Sequence, residues 1–251
     1  MTGRLAIVGL GPGDPLMQTP QAAEALAAAT DVVGYAAYVD RVPPRPGQAR
    51  HPSDNRVELD RARHALGLAA AGRSVAVVSG GDPGVFAMAS AVFEAIEAGD
   101  PAWRGLDIEV VPGVSAMFAA AARLGAPLGH DFCAISLSDN LKPWAVVLHR
   151  LVAAASAGFV VALYNPASRA RPWQLAAALD ALRPVLPAAT PVVFAHAISR
   201  ADERIVVATL RDADPAGADM RTLVLIGSAA TRRIERPGAA PWLYTPRGCA
   251  I

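Results

Sequence analysis

Short apolar runs alternate along the chain with longer segments in which alanine and leucine recur at helical spacing. Runs of consecutive valine and isoleucine indicate strands buried on both faces, as in a parallel sheet covered by crossover helices. The pattern therefore predicts an α/β fold. The predicted strands are Arg4–Val8, Asp31–Gly34, Ser74–Val78, Asp107–Val110, Phe132–Ser136, Phe159–Leu163, Val192–Ala195, Ile205–Thr209 and Thr222–Ile226. The predicted helices are Gln21–Ala29, Glu58–Ala71, Val85–Ala98, Ala116–Leu124, Ala145–Ala155 and Pro172–Leu182.

The spacing of the predicted strands changes after about Val192. Before residue 115, four strands are separated by helices, which is typical of a parallel sheet. The runs Val192–Ala195 and Ile205–Thr209 are joined by a polar stretch too short for a crossover helix, so we expect a hairpin or tight bend. We predict two α/β domains, residues 1–114 with a mostly parallel sheet and residues 115–251 with a mixed sheet. Val42–Arg50, with three prolines, is predicted to be a surface loop.

Composition and charge narrow the class of protein. Hydrophobic residues make up 53% of the chain and charged residues 18%, which excludes disorder. The net charge of +1 disfavours binding to nucleic acid or to an anionic membrane. No signal peptide or membrane span is expected, so we predict a cytoplasmic location. Cys133 and Cys249 are far apart and outside any Cys/His cluster, which predicts neither a disulfide nor a metal site.

The first predicted strand runs into a glycine-rich loop, Gly9–Asp14. A G-x-G-x-x-G dinucleotide fingerprint needs glycine where Asp14 stands, and a phosphate-binding P-loop needs a following Gly-Lys-Ser/Thr. The loop therefore disfavours a nicotinamide oxidoreductase. A plain tight turn is the alternative for this loop taken alone.

The second loop, Ser79–Phe86, also leaves a strand and precedes a helix. Its glycines allow close backbone approach. The Asp82 carboxylate would repel a phosphate but would suit a sulfonium and an amino group, so a cationic ligand is favoured. A helix N-cap is the alternative role for Asp82.

Two more strand ends carry small or polar residues. Val111–Ala116 offers the hydroxyl of Ser115 and free amides at a helix start, although simple helix capping by Ser115 is an alternative. Leu163–Pro166 adds Tyr164, which could equally be a core residue, and an amide side chain. Since ligands of open α/β sheets bind at the carboxyl ends of strands, the four loops together predict one cleft between the two halves.

These motifs, GLGPGDP, GGDPGVF, VPGVSA and ALYNP in this order and followed by a terminal TPRG, resemble the tetrapyrrole (corrin and porphyrin) methylase family over essentially the whole chain. The resemblance implies two α/β domains with S-adenosylmethionine in the cleft between them, usually in a homodimer. Segments such as VVGYAAYVDRV and LGHDFCAISLSDNLKPW imply methylation of C-17 of precorrin-3B, with ring contraction to precorrin-4.

The resemblance also implies the residues that contact S-adenosylmethionine and its product S-adenosylhomocysteine. They are Pro12, Gly80, Gly81, Asp82, Val85, Phe86, Ser115, Ala116, Tyr164, Asn165, Ala197 and Ile198.

Ring contraction requires proton transfer, for which Asp139 and His130, on either side of the Phe132–Ser136 strand, are candidate acid or base residues. Residues on the expected substrate side are Tyr35, Arg41, Lys142, Arg200 and Arg247. Because the tetrapyrrole carries many carboxylates, loop arginines are candidates for bidentate pairing, with no order among them. These arginines are Arg41, Arg56, Arg169, Arg171, Arg200 and Arg247.

Three alternatives remain open at this point. The substrate could be another tetrapyrrole, such as a cobalt-containing intermediate. The same fold also methylates RNA and protein. A non-catalytic tetrapyrrole carrier would keep the loops without using them.

Overall fold

The computed structural model describes residues 3–55 and 57–248, so Arg56 and Cys249 lie outside the described residues. The chain divides into two compact units, Met1–Ser115 and Ala116–Ile251. Each unit is built on a five-stranded sheet flanked by helices. The predicted α/β class is confirmed.

The first unit contains one parallel sheet. Its strands are β1 (Arg4–Gly9), β2 (Asp31–Tyr35), β3 (Ala49–Ser53), β4 (Ser74–Ser79) and β5 (Asp107–Val111). Its helices are α1 (Pro20–Ala28), α2 (Ala36–Val39), α3 (Glu58–Ala70) and α4 (Met88–Ala98), with 3₁₀ turns at Pro15–Met17 and Pro101–Gly105. The strand order is β3-β2-β4-β1-β5, and every pairing is parallel.

Alternation along β1 divides the core of this unit between the two faces of the sheet. Leu5 and Ile7 belong to a buried cluster with Leu66 of α3. Val8 belongs to the opposite cluster, with Leu26 of α1. Because successive strand side chains point to opposite faces, a run of consecutive apolar residues serves both clusters. The same reason makes these strands recognisable in the sequence.

The segment Val42–Arg50 was predicted to be a loop, but strand β3 begins at Ala49 and runs to Ser53. It pairs only with β2, with Gly34 opposite Pro52, so it forms an edge of the sheet. Proline lacks a backbone N–H and is tolerated at such an edge. The sequence Ala-Arg-His-Pro-Ser has no apolar alternation, which explains why the strand was missed.

Helix α4 begins three residues later than predicted, at Met88 instead of Val85. Phe86 has a φ of +52°, which a right-handed helix does not accommodate. The residues between Gly80 and Met88 therefore remain in the loop. The short helix α2 was not predicted.

The second unit contains a mixed sheet and a smaller one. Its strands are β6 (Gly125–Ala126), β7 (Phe132–Ser136), β8 (Val160–Tyr164), β9 (Pro191–His196), β10 (Arg204–Thr209), β11 (Thr222–Ile226), β12 (Arg232–Arg236) and β13 (Ala239–Tyr244). Its helices are α5 (Ala116–Leu124), α6 (Trp144–Ser156) and α7 (Gln174–Leu182), with a 3₁₀ turn at Pro215–Gly217. The main sheet has the order β10-β9-β11-β8-β7.

Strand directions in the main sheet confirm the predicted change of topology. Strands β7 and β8 pair in parallel, whereas β11 is antiparallel to both β8 and β9. Strands β9 and β10 form the expected antiparallel hairpin. One face of the sheet packs on α6 and α7 through a buried cluster that includes Leu151, Leu163 and Leu179.

The smaller sheet, β12-β13-β6, was not predicted. Strand β12 is exposed or half-buried along its whole length, and β6 has only two residues. Strands that are exposed or very short have no alternation of buried and exposed positions, so their sequences show no hydrophobic pattern. Among the described helices, none has the length and apolar character needed to cross a membrane.

Candidate functional site

The first two predicted loops are joined by backbone hydrogen bonds at the carboxyl edge of the first sheet. The amide of Gly11 donates to the carbonyl oxygen of Gly81 at 3.1 Å, and the amide of Gly81 donates to that of Gly11 at 2.9 Å. Gly11 and Gly81 have φ values of +67° and +69°, a conformation that favours glycine. The glycines therefore fix the path of both loops.

The third loop packs directly on the other two. A Cβ atom placed on Gly113 would lie 2.3 Å from the carbonyl oxygen of Gly81, so a side chain there would displace backbone. Asp82 completes the contact, because its Oδ2 accepts the amide of Gly113 at 3.0 Å and its Oδ1 accepts that of Gly84 at 2.8 Å. Asp82 is not the N-cap of α4, whose N-cap is Ala87. Its carboxylate instead holds the second loop to the third.

Arg41, predicted on the substrate side, contacts the first of these loops, and Tyr35, also predicted there, packs on Tyr38 beside the second. The guanidinium of Arg41 donates from Nη2 to the carbonyl oxygens of Leu10 and Gly11, both at 2.9 Å. The ring of Tyr35 makes an edge contact with that of Tyr38, with the ring centroids 5.5 Å apart. A Cβ on Gly80 would lie 2.8 Å from the Tyr38 ring. Arg41 thus supports the first loop, and pairing of Arg41 with substrate stays a prediction.

Strained backbone coincides with the predicted cofactor contacts. Among the described residues, the non-glycine residues with positive φ are Phe86, Asn165, Ala197 and Ser199, at +52°, +52°, +47° and +61°. Such conformations cost of order 1–3 kcal/mol each and cluster at binding and catalytic sites. Phe86, Asn165 and Ala197 belong to the predicted cofactor set.

In the second unit, the carboxyl ends of β7 and β8 are joined by one side-chain and one backbone hydrogen bond. The Nδ2 of Asn165 donates to Ser136 Oγ at 2.9 Å, and the amide of Leu137 donates to the carbonyl oxygen of Tyr164 at 2.9 Å. The Tyr164 hydroxyl accepts the amide of Met117 in α5 at 3.3 Å. Tyr164 is therefore half-buried with its hydroxyl bound to a helix start, not a fully buried core residue.

Of the two candidate acid or base residues, only Asp139 lies at this edge. Its carboxylate oxygens accept Nε2 of the buried Gln174 at 3.2 and 3.3 Å. His130 precedes the amino end of β7, and its Nδ1 accepts the amide of Asp131 at 2.7 Å. A five-residue strand separates the two side chains by roughly 15 Å. The structure therefore does not bring His130 together with Asp139.

The remaining predicted residues differ in accessibility. Pro12, Ser115, Ala197 and Ile198 are buried, Val85, Ala116 and Lys142 are half-buried, and Arg200 and Arg247 are exposed. Burial lowers the pKa of the Lys142 ammonium below its ordinary value, and the positive charge of Arg150 lowers it further. Among the described residues, no group of three His, Cys, Asp or Glu side chains could hold a metal ion.

The structure also places His196, which was not among the predicted site residues, at the same edge of the second sheet. It ends β9 immediately before Ala197, and its Nδ1 lies 3.1 Å from Oδ1 of Asp219. Asp219 also accepts the hydroxyl of Thr222 at 2.7 Å. A histidine at a strand end carries no distinguishing sequence signal, so the His196–Asp219 pair is recognisable only from the fold.

A family model for Tetrapyrrole (Corrin/Porphyrin) Methylases matches residues 4–214. The chain belongs to this family. A precorrin-3B C(17)-methyltransferase from Sinorhizobium sp is 60% identical to this methylase over 247 residues, which are 98% of this chain and 97% of that protein.

Solved structures agree with this assignment of the methylase. The crystal structure of the methyltransferase CobJ covers 97% of this chain and 100% of its own, with a TM-score of 0.93 and 55% identity. A uroporphyrin-III C-methyl transferase from Thermus thermophilus, complexed with S-adenyl homocysteine, covers 90% of this chain and 92% of its own, with a TM-score of 0.64 and 25% identity. The methylase therefore shares its fold with an enzyme that holds the demethylated donor.

Proposed function

We propose that this methylase is an S-adenosylmethionine-dependent C-methyltransferase that methylates C-17 of precorrin-3B, with ring contraction to precorrin-4 in cobalamin biosynthesis. The observation that carries the proposal is the 60% identity, over 98% of the chain, to a precorrin-3B C(17)-methyltransferase. The 247 aligned residues cover 98% of the chain and therefore include residues of both units.

The glycine loops fit the methyl donor better than they fit a phosphate. The negative charge of Asp82 stands at the junction of the second and third loops, where a phosphate would be repelled. The close packing of Gly9, Gly81 and Gly113 leaves backbone, not side chains, at the loop junction. Bound there, the donor would supply an activated methyl group with a good leaving group. The proposed contacts are the twelve residues named for it above.

The protein's task in this reaction is alignment. Methyl transfer to carbon is an in-line displacement, so the protein mainly has to align the donor's methyl group with the acceptor carbon. No nucleophilic side chain is required. The three loops of the first unit are rigidly connected through Gly11, Gly81, Asp82 and Gly113. We infer that they fix the donor.

Ring contraction also requires proton movement, and Asp139 is the proposed acid or base. Its carboxylate is held from one side by Gln174, which fixes its position without supplying a positive charge. A positioned acid or base contributes on the order of 10²–10⁴-fold. His130, at the other end of β7, is not proposed for this step.

The proposal also includes a homodimeric state and a cytoplasmic location, as the family resemblance implies. Light scattering during size exclusion should give a mass of two chains. A mass of one chain at micromolar concentration would refute the dimer without affecting the proposed reaction.

Incubation of the purified protein with precorrin-3B and donor labelled with ¹³C at the methyl group tests the reaction. The proposal predicts one labelled methyl per macrocycle, located at C-17, in a contracted product. Parallel incubation with the cobalt-containing counterpart measures the preference between the two forms. Binding of tetrapyrrole without uptake of label, and without affinity for S-adenosylhomocysteine, would support a carrier and overturn the proposal.

A further inference from the structure

Arg171 is a buried cation in the segment between β8 and α7. Only 8% of the residue is exposed. A tight turn sets its position, because the backbone groups of Ser168 and Arg171 hydrogen-bond to each other in both directions at 3.0 Å. Arg169, two residues earlier in the same turn, is exposed. The turn therefore directs one arginine inward and the other to solvent.

The Arg171 guanidinium has two contacts among the described residues, and both are long. Its Nη1 donates to the carbonyl oxygen of Asn165 at 3.3 Å, and its Nη2 lies 4.0 Å from Sδ of Met220. No carboxylate among residues 3–55 and 57–248 lies within 4.0 Å of it. A guanidinium has five N–H donors, and burying it without a counter-charge is costly.

Arg61, the other buried arginine described, shows what a structural role looks like. Its Nε donates to Ser53 Oγ at 2.7 Å, its Nη2 to the carbonyl oxygen of Asp54 at 2.5 Å, and its Nη1 contacts Sδ of Met88 at 3.3 Å. Every nitrogen of Arg61 is engaged at short range. Arg171 lacks such a set of partners.

A second unmet polar group lies in the same segment. Gln174 is 1% exposed, and its Nε2 binds Asp139, but its Oε1 is buried without a hydrogen-bond partner among the described residues. Buried polar atoms are normally paired, and this acceptor requires a hydrogen-bond donor, which water or another group of a bound ligand supplies and a carboxylate does not. Both residues follow Asn165, at the carboxyl edge where Asp139 also lies.

We propose that the Arg171 guanidinium binds a carboxylate of a bound ligand at this edge of the second unit. The inference rests on the proposed function, which supplies two sources of that group: the acid side chains of the tetrapyrrole and the amino-acid carboxylate of the methyl donor. A planar guanidinium matches a carboxylate in bidentate geometry. The carboxylate of the ligand then neutralises the positive charge of Arg171, which no carboxylate of the described residues does within 4.0 Å.

Arg171→Gln tests the assignment, with Arg183→Gln as the matched control because it removes the same charge from an exposed position at the end of α7 in the same unit. Three quantities are measured: the KM for precorrin-3B, the Kd for S-adenosylhomocysteine by calorimetry, and the Tm. One of the two ligand constants should rise on the order of tenfold or more in Arg171→Gln, because a buried charge pair is lost. Arg183→Gln should change neither constant by more than about twofold. The Tm of Arg171→Gln should stay level or rise, since an unpaired buried charge is removed.

The pattern of changes identifies the source of the carboxylate. A raised KM with an unchanged Kd for S-adenosylhomocysteine supports pairing with the tetrapyrrole. A raised Kd, with unchanged affinity for 5′-methylthioadenosine, which lacks the carboxylate, supports pairing with the donor. Arg171→Lys retains the charge without the fork and should lie between wild type and Arg171→Gln.

Unchanged ligand constants in a folded Arg171→Gln variant would overturn the assignment, as would a lowered Tm with normal binding. If Arg171→Gln does not fold, a wild-type KM and Kd in Arg171→Lys would also overturn it. Failure of the proposed function looks different, because wild-type protein would then neither bind S-adenosylhomocysteine nor methylate precorrin-3B.

Discussion

Replacing Asp82 by alanine should weaken donor binding through the shape of the loops. The sequence favoured Asp82 as an acceptor beside a cationic ligand, but the structure engages both carboxylate oxygens with the amides of Gly84 and Gly113. The bond to Gly113 is the more consequential, since it joins two loops 31 residues apart in sequence. Without it, the third loop must be ordered by the ligand.

The magnitude follows from the bonds that are lost. A hydrogen bond to a charged group contributes about 1.5–3 kcal/mol, and the half-buried position of Asp82 favours the lower part of that range. A cost of about 1.4 kcal/mol is tenfold in an equilibrium constant, so the Kd for S-adenosylhomocysteine should rise roughly 10- to 30-fold. Asp82→Asn keeps one acceptor oxygen and should fall between wild type and alanine.

Asp14→Ala is the matched control, and calorimetric titration with S-adenosylhomocysteine is the assay. Among the described residues, the Asp14 carboxylate accepts only the amide of Leu16, at 2.9 Å within its own 3₁₀ turn, so its loss leaves the connections between loops intact. We expect its Kd to change by less than about threefold. Equal effects of the two alanine variants, or a larger effect of Asp14→Ala, would refute the reasoning.

Four further substitutions test the structure independently of the ligand. Burial alone would raise the pKa of the Asp31 carboxyl, but its hydrogen bonds lower that pKa from 3.8 to about 2. About 2 kcal/mol of the free energy of unfolding should therefore be present above pH 4 and lost as the pH falls towards 2. Urea unfolding of Asp31→Asn should lack this dependence on pH. Gly113→Ala should lower the Tm, because its Cβ would meet the Gly81 carbonyl oxygen. Gly67→Ala, in open space within α3, should instead stabilise the protein by about 0.5–1 kcal/mol. A higher Tm for Gly113→Ala than for Gly67→Ala would contradict the loop packing. Ala197→Gly should raise the free energy of unfolding by about 1 kcal/mol, because glycine relieves the strain of a φ of +47°. If chemical denaturation gives a lower free energy of unfolding instead, the residue is not strained.

The strands that lie inside the two main sheets could be predicted because burial on both faces requires consecutive apolar residues. Strand β4, for example, reads Ser-Val-Ala-Val-Val-Ser and is buried from Val75 onward. The hairpin of β9 and β10 followed from the length of its connection. Strands β3, β12 and β13 could not be predicted, because edge and exposed strands satisfy their backbone without an apolar pattern.

The candidate site was predictable only as a set of loops. Glycine positions indicated where backbone approaches closely, and Gly81 and Gly113 do meet. One partner of Asp82, Gly113, lies 31 residues away after strand β5, so no local pattern specifies that contact. The burial of Arg171 likewise arises from the Ser168–Arg171 turn, because nothing in the sequence distinguishes it from Arg169, the exposed arginine of the same turn.

The central claim is that the methyl donor binds on the glycine loops of the first unit. A crystal structure of the protein with S-adenosylhomocysteine tests it most directly. We predict density for the ligand against Gly80, Gly81 and the Asp82–Gly113 contact, with the adenosyl or amino-acid part bound by backbone groups. Density elsewhere on the molecule, or these loops unchanged and without ligand at saturating concentration, would contradict the account.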